Sequence, residues 1–239
     1  MIRLRRAVVS DVEGIGNVVR EVWGQEILPD VCRAQIEDVE CELWVAEGED
    51  DILGFISAFL TVNKDGHRRW EMDLVAVRPS QQGRGLGQRL IRRACEGAVR
   101  VDAAVARALI RLSNVASQKA FQRTGFTTDR RIYHLLLWSP TPIDGPAPRP
   151  RGASLTPVDT LTYRGLWIEG LEQMTPSKQH LVVNAARSTV AREKRLNAGA
   201  LIPADKVHLL TADPCAQAKL HGRYYWFAKR GSVGARHRA

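Results

Sequence analysis

Val75-Ala76-Val77-Arg78-Pro79-Ser80-Gln81-Gln82-Gly83-Arg84-Gly85-Leu86-Gly87-Gln88-Arg89-Leu90 takes an alternating apolar segment through a proline into a glycine-dense turn, and a helical pattern starts at once. Pro79 ends the strand, because it has no N–H to give a ladder. Gly83, Gly85 and Gly87 then let successive backbone N–H groups converge with no Cβ in the way. A concave row of amides at the positive end of a helix dipole holds a phosphate. Leu86, Leu90, Ile91 and Ala94 follow at helical spacing, so the turn opens a helix over about Leu86–Val99.

Two other phosphate loops do not fit. A dinucleotide turn asks for G-x-G-x-x-G with an acid about 20 residues on, and a nucleoside triphosphate loop asks for G-K-[ST]. Here the glycines run G-x-G-x-G and no G-K pair is present in the turn. Gln82-Gly83-Arg84-Gly85-Leu86-Gly87 matches Q/R-x-x-G-x-G/A instead, and resembles the acetyl-CoA pyrophosphate loop of the GNAT superfamily of acyl-CoA N-acyltransferases. Downstream, Asn114-Val115-Ala116-Ser117-Gln118-Lys119-Ala120-Phe121-Gln122-Arg123-Thr124-Gly125-Phe126 resembles that family's N-x-x-A-x-x-x-Y-x-x-x-G-F. The same residues read locally as a helix with Asn114 as N-cap and Gly125 as the left-handed residue past its end. The resemblance covers about residues 1–138.

The resemblance implies an α/β fold with a mixed sheet, in the order β-α-α-β-β-β-α-β-α-β, and acetyl-CoA as co-substrate. Val75, Ala76 and Val77 would pair through their backbones with the pantetheine arm. Gln82, Gly83, Arg84, Gly85, Leu86, Gly87 and Gln88 would hold the pyrophosphate, with Arg84 adding a cation or remaining merely solvated. Asn114 would contact the cofactor near its thiol end. Counting back from the glycine loop, Glu71 falls where histone-acetyltransferase-type members carry their catalytic glutamate. By period two, Glu71, Asp73, Val75 and Val77 are expected on one strand face. Glu71 is therefore the first candidate base and Asp73 the second, against the plain reading of a solvated acid beside Arg68 and Arg69. The family's acid is a tyrosine where this chain has Phe121, which has no proton to give. Tyr133 is a substitute in name, although strand aromatics usually serve packing. His67, His134 and His180 show no relay spacing.

Composition bounds the rest. The 239 residues, 44% hydrophobic, suffice for one or two cores. No run approaches a membrane span and the N-terminal residues lack a secretory apolar core, so a cytoplasmic protein is expected. Cys32, Cys41, Cys95 and Cys215 are scattered, which suits free thiols and no metal site. Residues 1–140 hold 20 Lys/Arg and 19 Asp/Glu, so nearly all of the net charge of +9 falls in residues 141–239. That basic half would suit an acidic protein, a sugar phosphate or RNA, or is simply a solvated face.

Along the chain, strands are expected at Ile2–Ala7, Glu42–Glu47, Ile52–Val62, Trp70–Val77, Ala106–Leu112 and Arg131–Trp138. Helices are expected near Val12–Val22, where Ser10 and Glu13 form a capping box, and over Asp30–Val39 and Val115–Thr124. Residues 1–139 would form the acetyltransferase domain, holding its cofactor alone, and 140–152 a proline-rich linker. A smaller α+β C-terminal domain would span 153–230, with strands at Ala153–Val158, Lys206–Thr211 and Tyr224–Lys229 and helices at Leu161–Met174 and Ser177–Asn197. Its order repeats the opening of the chain, as a degenerate half-copy or an unrelated appendage, and it would line the acceptor site or a homodimer contact. Residues 231–239 read as a basic flexible tail.

The functional expectation is direct acetyl transfer from acetyl-CoA to a primary amine on a small molecule or a protein. The alternatives are a CoA-binding regulatory or scaffold module, and a ribosome- or RNA-associated acetyltransferase.

Overall fold

The structure is a computed structural model and describes residues 2–63, 65–138, 153–162, 164–170, 175, 177–178, 182–183, 206–211 and 219–230. Strands β1 (Arg3–Arg6), β2 (Cys41–Glu47), β3 (Ile52–Val62), β4 (Arg68–Val77), β5 (Val105–Arg111) and β6 (Ile132–Trp138) alternate with helices α1 (Val12–Trp23), α2 (Pro29–Glu37), α3 (Leu86–Arg100) and α4 (Val115–Arg123). Further strands are β7 (Ser154–Asp159), β8 (Arg164–Glu169), β9 (Lys206–Thr211) and β10 (Lys219–Arg230). All ten join one mixed sheet in the order β1-β2-β3-β4-β5-β10-β6-β9-β8-β7. The α/β fold and the element order of residues 1–138 agree with the sequence reading.

Alternation along the strands separates two cores. Ile56, Ala58, Trp70, Met72, Ala106, Ala108 and Ile110 pack with Leu90, Ile91 and Ala94 of α3. Phe55, Leu43, Val45 and Ala76 pack with Ile15, Val18 and Val19 of α1 on the opposite face. Trp70 fastens α3 to the sheet, its Nε1 donating to the Ala94 carbonyl at 2.8 Å. Gly97 permits that approach, since a Cβ there would lie 2.5 Å from Trp70 Cζ2.

Several local expectations are corrected. Ser10 and Glu13 do not cap α1. Asp11 does the bracing, accepting the Val8 N–H at 2.8 Å and two hydrogen bonds from Arg5. Within the helix read over Leu161–Met174, Arg164–Glu169 is instead the strand β8, held antiparallel to β7 and parallel to β9, while residues 163 and 171–174 lie outside the described residues. The strand read at Tyr224–Lys229 is longer and lies inside the sheet, antiparallel to β5 on one side and β6 on the other. Segment 153–170 also folds back onto the first core. Leu28 N–H donates to the Leu161 carbonyl at 2.7 Å, and Trp167 packs on Phe59 with ring centroids 6.1 Å apart. The proline-rich stretch 140–152, the tail 231–239 and most of Ser177–Asn197 lie outside the described residues.

Candidate active site

The glycine turn takes the shape its residues allow. Gly83 and Gly85 are left-handed, at φ +77° and +75°, where a side chain would be strained. Nothing stands within 4 Å of a Cβ at either position, so the backbone faces open space. Gly85 caps α3, and Arg89 N–H donates to its carbonyl at 3.1 Å. The amides of Leu86, Gly87 and Gln88 precede that bond, at the positive end of the helix. Gln82 braces the turn by donating Nε2 to the Val77 carbonyl at 2.9 Å. Arg84 is exposed and reaches Gln81 at 3.3 Å, while the Leu86 side chain is buried, so Leu86 offers only its backbone.

The strand leading to this turn has an open edge. β4 and β5 pair in parallel only from Arg69 opposite Val105 to Glu71 opposite Arg107. Beyond that point they part, so among the described residues Val75, Ala76 and Val77 pair with β3 on one side alone. A cavity of about 770 Å³ occupies the gap, lined by Glu71, Asp73 and Val75 of β4, Arg107 and Arg111 of β5, Asn114 just before α4 and Phe121 within it. Thr162, Trp167, Tyr224 and Trp226 are also in the wall.

Asp73 is the extra residue of a β-bulge: Ser57 pairs with Leu74 and Ala58 with Met72. One unpaired residue reverses the side-chain alternation beyond it. Trp70 and Met72 face the α3 core, and so do Val75 and Val77. Glu71 therefore points to the opposite face, and the expected sharing of one face by Glu71, Val75 and Val77 does not hold.

The two candidate carboxylates sit in unlike surroundings. Glu71 is 2% exposed and fully engaged. It accepts from Thr61 Oγ1 at 2.5 Å and from Arg107 Nε at 2.8 and 2.9 Å. Arg69 Nε lies 3.5 Å from it. Glu169 of β8 closes the cluster, accepting from Arg69 at 2.7 Å and from Arg107 at 2.8 Å. Burial alone would lower the Arg107 pKa, but Glu71 and Glu169 hold it above its usual value. The Arg107 guanidinium also lies 4.1 Å over the Trp226 ring. Asp73, by contrast, has a buried Oδ2 with no hydrogen-bond partner among the described residues. Burial, and secondarily the charge of Glu71, push its pKa up to about 7. A carboxyl so placed titrates where a general base must work.

Asn114 caps α4 through Oδ1, which accepts from Ser117 N–H at 3.1 Å, leaving its amide donors at the cavity wall. Phe121 packs edge-on against Phe126 at 5.0 Å. Tyr133 is not among the residues lining the cavity. His67 is exposed next to Asn63, and His180 lies outside the described residues. Arg107, Glu169, Tyr224 and Trp226 were not singled out from the sequence as site residues. They belong to no spacing motif and meet only through sheet pairing, although the aromatic pattern around Tyr224 marks a strand.

A family model for GNAT acetyltransferases matches residues 13–126. No curated protein matches the chain. The PaiA N-acetyltransferase of Thermoplasma acidophilum in complex with coenzyme A is similar at 16% identity, over 54% of this chain and 91% of that one, with a TM-score of 0.47. YncA of Salmonella typhimurium with acetyl-CoA is 24% identical over 53% of this chain and 80% of its own, TM-score 0.47. NAA60 of Arabidopsis thaliana in complex with a bisubstrate analogue is 15% identical over 61% and 91%, TM-score 0.49.

Proposed function

We propose that this chain, which belongs to the GNAT acetyltransferase family through residues 13–126, moves the acetyl group of acetyl-CoA to a primary amine by direct attack with both substrates bound. The observation that carries this reading is the Asp73 carboxyl, whose buried Oδ2 has no hydrogen-bond partner among the described residues, on a bulge of β4 in the cavity where β4 leaves β5.

The residues suit acetyl-CoA. Open space over Gly83 and Gly85 admits a pyrophosphate to the amides at the start of α3. The unpaired edge of β4 at Val75, Ala76 and Val77 offers backbone donors and acceptors to the pantetheine amides, as an added strand would. Asn114 closes the inner end with its side-chain amide.

Asp73 then takes the base role in preference to Glu71. Both oxygens of Glu71 are taken up by Thr61, Arg107 and Arg69, so it faces no substrate and fixes Arg107 and the sheet junction instead. Asp73 carries no such partner, and the cationic amine entering the cavity supplies one. Transfer of that proton to Asp73 frees the nitrogen lone pair to attack the thioester carbonyl. The wall contributed by Thr162 and Trp167 makes residues of segment 153–170 part of the acceptor end.

Two measurements test the proposal. Mass spectrometry of the purified protein should find co-purified CoA species. A panel of small and peptidyl primary amines should then release free thiol from acetyl-CoA. A second reading, a CoA-holding regulatory module, draws on Phe121 in the family's tyrosine position. It requires that CoA binds and no amine in the panel releases thiol.

A further inference from the structure

We propose that Tyr224 protonates the departing thiolate and is resupplied through His221, an inference that rests on the acetyl transfer argued above. The place where the family has its tyrosine holds Phe121, which is 2% exposed and packed on Phe126. Tyr224 enters the same cavity from another strand. β10 pairs it with Arg111, close to the end of β5 that leads into Asn114. Tyr225 and Phe227 belong to the α3 core, so alternation turns Tyr224 and Trp226 to the cavity face.

The hydroxyl is held in a defined orientation. Arg111 Nε, which can only donate, gives it a hydrogen bond at 3.0 Å. His221 Nδ1 lies 2.8 Å from the same oxygen. With Nδ1–H donating, both lone pairs of the phenol are occupied and its own proton is left to the cavity. Arg111 Nη2 also donates to the His221 carbonyl at 3.0 Å, fixing the backbone that carries the imidazole.

Two sequence features otherwise unused serve this geometry. His221 is the unpaired residue of a bulge between Leu220 and Gly222, and without that bulge residues 221 and 224 would face opposite ways. A Cβ at Gly222 would lie 3.0 Å from Tyr224 Cε2 and 3.2 Å from Arg111 Nε. A side chain at 222 would push Tyr224 and Arg111 back by a few tenths of an ångström, so glycine lets the three groups meet as they do.

The protons balance. Asp73 takes one from the ammonium, and the nitrogen bonds to the carbonyl carbon and gives its second surplus proton to solvent. The carbon–sulfur bond breaks, and the sulfur electron pair takes the Tyr224 hydroxyl proton. Asp73 returns its own proton to solvent after product leaves. His221 Nδ1–H passes to the phenolate oxygen, and His221, exposed at the surface, recovers a proton from solvent. Among the described residues, the titratable groups of this cavity and of the strands beside Tyr224 include Arg107 and Arg111 on β5, Glu71 and Asp73 on β4, Glu26 after α1, Tyr133 opposite it on β6, and His221 on its own strand. Burial raises the Tyr224 pKa while Arg111 pulls it down, and the net shift is upward, which keeps the donor protonated at working pH.

The test uses the full chain with an amine that the wild type accepts. Tyr224→Phe should leave acetyl-CoA affinity unchanged and lower kcat on the order of 10²-fold, the usual scale of a lost general acid. His221→Gln should lower kcat less. Fluorinated tyrosine incorporated at 224, which keeps the ring in place, should bring the alkaline limb of the kcat profile to lower pH. A purely structural tyrosine would not move that limb. Wild-type-like kcat in Tyr224→Phe, or an alkaline limb unmoved by fluorination, overturns the assignment while acetyl transfer stands. Absence of thiol release by the wild type with every amine overturns both.

Discussion

Glu169 of β8 meets Arg107 of β5 at 2.8 Å, and through its other oxygen it meets Arg69 of β4 at 2.7 Å. A carboxylate from beyond the proline-rich stretch thus joins Glu71 in balancing two guanidiniums under the candidate active site. Its own pKa, which burial alone would raise, is held down by Arg107 and then Arg69. All three side chains are at most 14% exposed, so the pairing is shielded from water. Removing one partner of a buried ion pair leaves an uncompensated charge, at a cost of about 3–5 kcal/mol. Glu169→Gln should lower stability by about that amount, read as a shifted urea midpoint at unchanged slope. A midpoint equal to wild type would mean that Arg69 and Arg107 do not depend on β8.

Shortening the chain makes a stronger demand. The sequence alone suggests that residues 1–139 hold the cofactor unaided. In the sheet, β10 fills the place between β5 and β6, pairing from Tyr224 to Arg230 with the whole of β5. A chain ending at Trp138 exposes both strands as open edges and uncovers the face on which Phe227 is fully buried. Such a chain should aggregate or elute as a large species in size-exclusion chromatography. A monomeric, CoA-binding product would show that β5 and β6 close on each other without β10.

The contrast marks what was legible in the sequence. The glycine turn and the Asn114 cap were readable because each is settled by a few adjacent residues: missing Cβ atoms, a missing N–H, a side chain that caps its own helix. Asp73 was readable as a candidate but not as the lone carboxylate. Counting by twos assumes an unbroken ladder, and the bulge that reverses Glu71 against Val75 leaves no mark in the residue types. Leu161–Met174 has apolar residues that suit either period, and pairing with β9 decides for the strand. Glu169, Tyr224 and Arg107 meet only through partners distant in the chain, so no local pattern could bring them together.

The two carboxylates of β4 should respond differently to the loss of charge. The base form of Asp73 is its carboxylate, populated above its pKa of about 7. Turnover should therefore fall as pH drops through about 7, the proton being already in place where the amine's must go. Asp73→Asn should abolish that limb and lower kcat by about 10²–10⁴-fold with CoA affinity intact. Glu71→Gln should instead lower stability, because it strands Arg107 and Arg69, and should keep the acid limb but move it to lower pH, because the charge that helps raise the Asp73 pKa is gone. If the limb follows Glu71 and not Asp73, the roles are reversed.

The glycine turn gives the last prediction. Gly85 sits at φ +75° as the N-cap of α3, with open space where a side chain would begin. A substitution there therefore strains the backbone but meets no protein atom, so the fold should survive it. Gly85→Ala costs about 1 kcal/mol of stability through the left-handed conformation. Gly85→Glu adds a negative charge and bulk at the mouth where the amides of α3 await an anion. Binding of acetyl-CoA should weaken at least tenfold, about 1.4 kcal/mol, beyond any loss in Gly85→Ala. Titration calorimetry of the two variants separates the effects, since Ala reports backbone strain and Glu reports strain with repulsion. Equal acetyl-CoA affinity in Gly85→Glu and wild type would place the pyrophosphate elsewhere, and the reading of β4 as the pantetheine strand would fail with it.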